Sequence, residues 1–310
     1  MTTYKEISGQ LIRTLSSDPA NPLEGQIWYN STIGVLKGYK FIPAAWASAT
    51  SMSTARGAAA SDGTQTVAYV AGGHLGGGTD TTATEEYTSS AWTGGGNMNT
   101  PRRSLSGCGT QTAGLAFGGY SATLDAYVSS TEEYDGASWT NVPSMSTARA
   151  ALAGFGIQTA GVAASGNNGP TVYANTEEYN GASWAAGGTM IQARGGTDTG
   201  LGTQTAGLVF GGLRPVPALR YDLTEEYDGT SWTAGGVIPA AASNVTGTGI
   251  QTSGLAWGGQ EPAYVAKSQS YDGSTWTAGG SLSSVRAACG RGGGSTSALS
   301  AGGNNSTAQM

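Results

Sequence analysis

Four pairs of adjacent glutamates, Glu85/Glu86, Glu132/Glu133, Glu177/Glu178 and Glu225/Glu226, recur in one setting: Thr-Glu-Glu-Tyr, then Trp five residues after the Tyr. Paired carboxylates are the equipment of glycosidic hydrolysis, one serving as acid and the other as base or nucleophile. Adjacent residues of a strand, however, point to opposite faces, so the two members of a pair cannot converge on one bond. Four equivalent copies also speak against a single active site. The alternation puts the first Glu of each pair (Glu85, Glu132, Glu177, Glu225) on the same face as the Tyr. There it is expected to meet a repeated arginine: Arg56, Arg102, Arg149 or Arg194. In the next copy both partners are lost together, since Ala242 stands where Arg is expected and Ser-Gln-Ser-Tyr replaces Thr-Glu-Glu-Tyr. A last copy keeps Arg286 without a Glu, which leaves the pairing either imperfect or crossing between units.

Other reactive groups are sparse. His74 is the only histidine, no dense Asp-x-Asp loop suggests a calcium site, and no metal or cofactor is expected. Cys108 and Cys289 are read as small buried thiols rather than a disulfide framework. The glycine-rich stretches 72–78 and 290–295 do not sit between a strand and a helix, the context a phosphate loop needs.

The elements that carry these residues follow from composition and period. Glycine accounts for 52 of 310 residues and hydrophobic residues for 38%, which suits many short strands and tight turns more than a helical core. Eight Trp and 14 Tyr argue against disorder. A net charge of −6 without any Lys/Arg run disfavours nucleic acid. No apolar stretch is long enough to span a membrane, and the first residues lack an export signal.

Trp46, Trp92, Trp139, Trp184, Trp232 and Trp276 are spaced by 44 to 48 residues, the period of a repeat array. The first four intervals hold an Arg, a run of small residues, G-x-Q-T as a hairpin turn, a short apolar run (ending in Gly-Gly in the first, second and fourth), a variable stretch and the Thr-Glu-Glu-Tyr segment, and the fifth repeats the pattern without the Arg and with Ser-Gln-Ser-Tyr. Asp-Gly or Asn-Gly after the Tyr is a tight-turn signal. The unit reads as four strands, a to d, and four strands per repeat of this length is a β-propeller blade. Small residues on strand a fit the crowded axis of such a ring.

Six Trp predict six blades. The last has only two strands at the C-terminus, in 283–290 and 295–303, and 34–46 offers the other two, with Tyr39 and Trp46 in the Tyr and Trp roles. The expected architecture is all-β: a six-bladed propeller over 34–310, its last blade closed by strands from both termini, preceded by an arm over 1–33.

The apolar run with Gly-Gly, the Glu-x-Tyr and the Trp resemble the kelch repeat, which implies a propeller with binding loops on its faces. One histidine cannot supply the two that kelch-type copper oxidases use. Ser-Tyr-Asp-Gly-Ser-Thr-Trp at 270–276 is similar to the Asp-box of sialidases, but it is one residue short, no arginine triad is evident, and its sister copies mark it as a c–d turn. The opening 4–39, with Pro-Leu-Glu-Gly-Gln-Ile-Trp-Tyr-Asn-Ser-Thr at 22–32, resembles kelch-type virion proteins of marine tailed phages. That resemblance implies a non-enzymatic tail, fibre or surface component, located in the virion and docked on other virion proteins through the arm.

The variable b–c stretches leave the ring on one face and hold Tyr120, Tyr127, Tyr173, Arg214, Arg220, Tyr221 and Tyr264, residue types that anchor interfaces. They are the expected binding face, toward a host-surface glycan or receptor. The alternatives are a propeller-type polysaccharide hydrolase or depolymerase, and a kelch protein-interaction module. A hydrolase requires one asymmetric acidic cleft, whereas these acids are symmetric.

Overall fold

The computed structural model describes residues 13–17, 27–38, 45–197, 199–214 and 217–305. Two compact units result, Met1–Ala44 and Ala45–Met310.

In the first unit, Arg13–Leu15 pairs parallel with Ile27–Asn30, which pairs antiparallel with Val35–Gly38. The second unit is built of antiparallel four-stranded sheets. Blade 1 comprises Ala60–Gly63, Val67–Ala71, Thr84–Thr88 and Trp92–Gly94. Blade 2 comprises Ser106–Thr110, Ala113–Phe117, Thr131–Tyr134 and Trp139–Val142. Blade 3 comprises Ala153–Ile157, Ala160–Ala164, Thr176–Tyr179 and Trp184–Ala186. Blade 4 comprises Gly200–Thr203, Ala206–Phe210, Thr224–Tyr227 and Trp232–Ala234. Blade 5 comprises Thr246–Ile250, Ser253–Trp257, Ser268–Tyr271 and Trp276–Ala278. A two-stranded hairpin, Gly290–Gly294 with Ser297–Ala301, follows and closes the inner ring.

The expectation of six blades closed two-plus-two is therefore corrected: there are five blades, and the sixth place on the ring holds a hairpin. Val35–Gly38, expected as its third strand, is paired with Ile27–Asn30, and Tyr39 falls outside the described residues. The chemistry agrees. Aligning Tyr39 with the repeated Tyr puts Lys37 where the first Glu belongs, opposite Arg286. Trp46 lies outside any strand, yet it packs on Trp257 of blade 5 with ring centroids 5.2 Å apart, much as Trp184 packs on Phe117 at 5.1 Å.

A backbone belt runs around the axis. Ser104 N–H donates to Ala58 C=O, Ala151 to Ser104, Thr197 to Ala151, Asn244 to Gly196, Ala288 to Asn244 and Ala58 to Ala288. The belt explains a periodic strain, because Ala58, Ser104, Ala151, Asn244 and Ala288 all have φ between 50° and 55°. Left-handed backbone turns N–H and C=O toward the two neighbouring blades, and a ring of six such bonds over-determines it. Glycine at the inner strands answers to packing. A Cβ on Gly200 or Gly207 would stand 2.3 or 2.2 Å from the Phe155 ring, which fills the gap between blades 3 and 4.

Candidate functional site

The repeated polar residues form two kinds of bond. Within a blade, Arg102 lies 3.0 Å from Glu132, Arg149 3.2 Å from Glu177 and Arg194 3.2 Å from Glu225, and Arg56 meets Glu85, all with side chains almost wholly buried. Glu85, Glu132, Glu177 and Glu225 also accept backbone N–H groups from the step before the first strand, for example Ser146 N–H at 2.6 Å from Glu177. Burial pulls the Arg102 and Arg149 guanidinium groups down to about 10, with the Glu partner opposing the shift in each case.

Between blades, the second Glu accepts from the Tyr of the next blade. Tyr134 donates to Glu86 at 2.5 Å, Tyr179 to Glu133 at 2.9 Å, Tyr227 to Glu178 at 2.5 Å and Tyr271 to Glu226 at 2.5 Å. Trp139, Trp184, Trp232 and Trp276 each donate from the indole to the Thr that opens the third strand of the preceding blade. The Gln of G-x-Q-T is more than a turn residue. Gln111, Gln158, Gln204 and Gln251 each donate to the Tyr carbonyl of the preceding blade. All these glutamates are thus occupied in holding the ring.

The b–c residues are placed one hairpin per blade. Tyr120 and Tyr127 meet edge to face at 5.3 Å, with Arg103 over the Tyr120 ring at 4.8 Å. Arg214 and Arg220 lie on paired two-residue strands, and Tyr173, Tyr221 and Tyr264 are half-buried on their own loops. His74 binds Asp80, which also holds Arg103 at 2.9 Å. Among the described residues no three His, Cys, Asp or Glu side chains cluster as metal ligands.

The asymmetry lies at the axis. At one register of the inner strands stands Gly107, Gly154, Gly200 or Gly247 in blades 2 to 5, but Arg291 in the closing hairpin. The Arg291 guanidinium reaches across the ring and donates to all four of those glycine carbonyls, at 3.4, 3.0 and 3.1 Å for Gly107, Gly154 and Gly247. Its backbone N–H donates to Ser61 of blade 1. At 3.8 Å from this guanidinium stands the Asp62 carboxylate, whose oxygens accept Gly63 and Gly109 N–H. Burial raises the Asp62 pKa above the ordinary Asp value, opposed by the charge of Arg291 and by those two backbone donors. The two side chains line a depression of about 80 Å³ at the mouth of the axis, together with Thr248 and inner-strand glycines, and Asp62 is the one carboxylate in that lining.

A second concavity, of about 630 Å³, opens at the sixth place on the ring. It lies between Ser297–Ala301 and the 46–52 segment and reaches Arg286, Tyr87, Trp92 and Gln65.

Neither Asp62 nor Arg291 had been singled out from the sequence. Arg291 carries a signal, since it interrupts a row of small residues at one inner-strand register, Ser61, Gly107, Gly154, Gly200 and Gly247, within the glycine-rich stretch 290–295; the register of Asp62 holds Cys108, Phe155, Leu201 and Thr248 and carries none.

No family model matches the chain, and no curated protein matches it. Solved structures do. The structure of YjhT superposes with a TM-score of 0.70 at 14% identity, covering 84% of this chain and 94% of that one. At this identity the likeness shows the fold, a β-propeller. The kelch and phage-virion assignment is therefore corrected: the motif likeness that carried it finds no family match, and the fold it was attached to is shared with YjhT. The exclusion of an enzyme is corrected as well. It rested on every acid being symmetric, and Asp62 is not.

Proposed function

We propose that the chain is a propeller-type hydrolase acting on a glycan, with the axial mouth as its site and Asp62 as the group that moves the proton. The observation that carries this reading is the placement of one carboxyl with a raised pKa, in contact with solvent, 3.8 Å from a buried guanidinium. A carboxyl with a raised pKa beside a specific charge partner in a concavity is a physical mark of an acid–base group.

The two influences on Asp62 suit the two halves of such a reaction. Burial favours the neutral acid, which can protonate the leaving oxygen of a scissile bond. Once ionised, the carboxylate is steadied by Arg291 and by the Gly63 and Gly109 N–H groups while it takes a proton from the attacking water. The mouth holds no second carboxylate among its described lining, so one side chain serves both halves, unlike the two-carboxylate arrangement of most glycosidases.

The test is release of reducing ends from a panel of neutral and acidic polysaccharides by the full chain and by Asp62→Asn. The reading expects hydrolysis of at least one substrate and a loss of about 100-fold or more in the variant, whose circular dichroism stays unchanged. No hydrolysis across the panel, or equal rates in the two proteins, contradicts it.

A further inference from the structure

The concavity at the sixth place is the negative of a missing third strand. In each of blades 1 to 4 the Thr-Glu-Glu-Tyr strand lies between the second and fourth strands and is held by a fixed set of groups. The Arg and the step N–H take its first Glu, the Tyr of the next blade takes its second Glu, and the Gln of the next blade takes its Tyr carbonyl. At the sixth place the holders are present, and among the described residues the strand is not. Ser297–Ala301 pairs on one side only among the described residues, with Gly290–Gly294. Arg286, in register with Arg56 and Arg102 and 16 residues before its own glycine carbonyl at Gly302, meets no carboxylate among the described residues; its guanidinium donates there to Ser284 and Gly302. Ser283 is the counterpart of Ser53, whose N–H and hydroxyl both donate to Glu85. The Tyr87 hydroxyl turns back to Ser89 C=O rather than across a blade boundary, and Gln65 faces the same opening. Trp46 bounds the far side, where a fourth strand would stand.

We propose that this slot binds an extended acidic segment of another polypeptide by strand addition, with a Glu or Asp opposite Arg286 and a second acid side chain reaching Tyr87. Charge decides the occupant. Its first side chain must satisfy a guanidinium that has no counter-ion among the described residues, and its backbone must pair with the edge of Ser297–Ala301 that is unpaired among them, a mode in which main-chain bonds give affinity and side-chain pockets give specificity. A second copy of this chain cannot lend one of its own Thr-Glu-Glu-Tyr strands, because Glu85, Glu132, Glu177 and Glu225 are all buried inside complete blades. The proposal is independent of the hydrolase reading, since the slot contains none of the axial residues.

The probe is a fluorescein-labelled peptide with the sequence of residues 131–139, Thr-Glu-Glu-Tyr-Asp-Gly-Ala-Ser-Trp, titrated by anisotropy into the full chain. Saturable binding is expected, with slowed hydrogen exchange over 297–302. Replacing the first Glu of the peptide by Gln leaves the protein untouched and should weaken binding about tenfold or more, as should Arg286→Gln. A peptide with Arg at that position should bind Arg286→Glu better than it binds the native chain. Absence of saturable binding, equal affinity of the Glu and Gln peptides, or protection of 297–302 by an acidic oligosaccharide but not by the peptide would each overturn the proposal.

Discussion

The Tyr134 hydroxyl of blade 2 donates to the Glu86 carboxylate of blade 1 at 2.5 Å, and the same bond recurs at the next three blade boundaries. The phenol is removed from water and bonded to an anion, so Tyr134, Tyr179, Tyr227 and Tyr271 are all pushed up to about 12, by burial first and by the carboxylate second. A tyrosine whose folded pKa exceeds its unfolded value lends stability that is fully present below pH ~10 and is lost as the pH rises toward 12. In an alkaline titration these four phenols should ionise together with unfolding. Tyr134→Phe should lower stability by about 1.5–3 kcal/mol in a denaturant titration at neutral pH, the range for a hydrogen bond to a charged group.

Removing one partner of a buried ion pair leaves the other charge uncompensated. Arg149→Ala should therefore cost about 3–5 kcal/mol. Blade 5 shows the alternative, with Ala242 in the Arg place and Gln269 in the Glu place. The double variant Arg149→Ala/Glu177→Gln copies that blade and should recover at least half of the loss. Denaturant midpoints of the two single variants and the double variant check this as a cycle.

The Arg291 side chain touches the inner strands of blades 2 to 5 at once. Lysine keeps the charge but cannot present a planar fork to four carbonyls. Arg291→Lys should therefore destabilise by about 2–4 kcal/mol. It should also speed hydrogen exchange at Gly107, Gly154, Gly200 and Gly247 more than at the outer strands. Uniform exchange across the blades would show that the ring does not depend on this residue.

What the sequence reveals and conceals divides along one line. A period near 45 residues shows that Arg, Gln, Glu, Tyr and Trp recur, and it places them on four strands of a propeller unit. It does not show to which blade each side chain reaches. Gln111 and its counterparts read as turn residues because their acceptors lie 24 and 43 positions earlier, in a neighbouring blade. Alternation shows that the second Glu faces away from its own Tyr, but not that it meets the Tyr of the next blade. The sixth place misled for a different one. Trp46 carries the repeat's spacing, but the residues before it carry Lys37 in place of a carboxylate and pair with Trp28. Asp62 and Arg291 escape any periodic reading, because a site at the axis of a ring is made by whichever single residues break the symmetry.

The account's central claim is that burial holds the Asp62 carboxyl above the ordinary Asp value at the mouth of the axis, against the pull of Arg291. The most direct measurement is a carboxyl-carbon NMR titration of aspartate-labelled protein, with Asp62→Asn identifying the signal. The account predicts a midpoint for Asp62 above the ordinary Asp value, while Asp135, Asp228 and Asp272, whose carboxylates accept turn N–H groups, titrate below it. A midpoint for Asp62 at or below the ordinary value would mean that Arg291 and the backbone donors outweigh burial. The carboxyl would then be a structural anion, and the axial mouth would have no acid to offer a substrate.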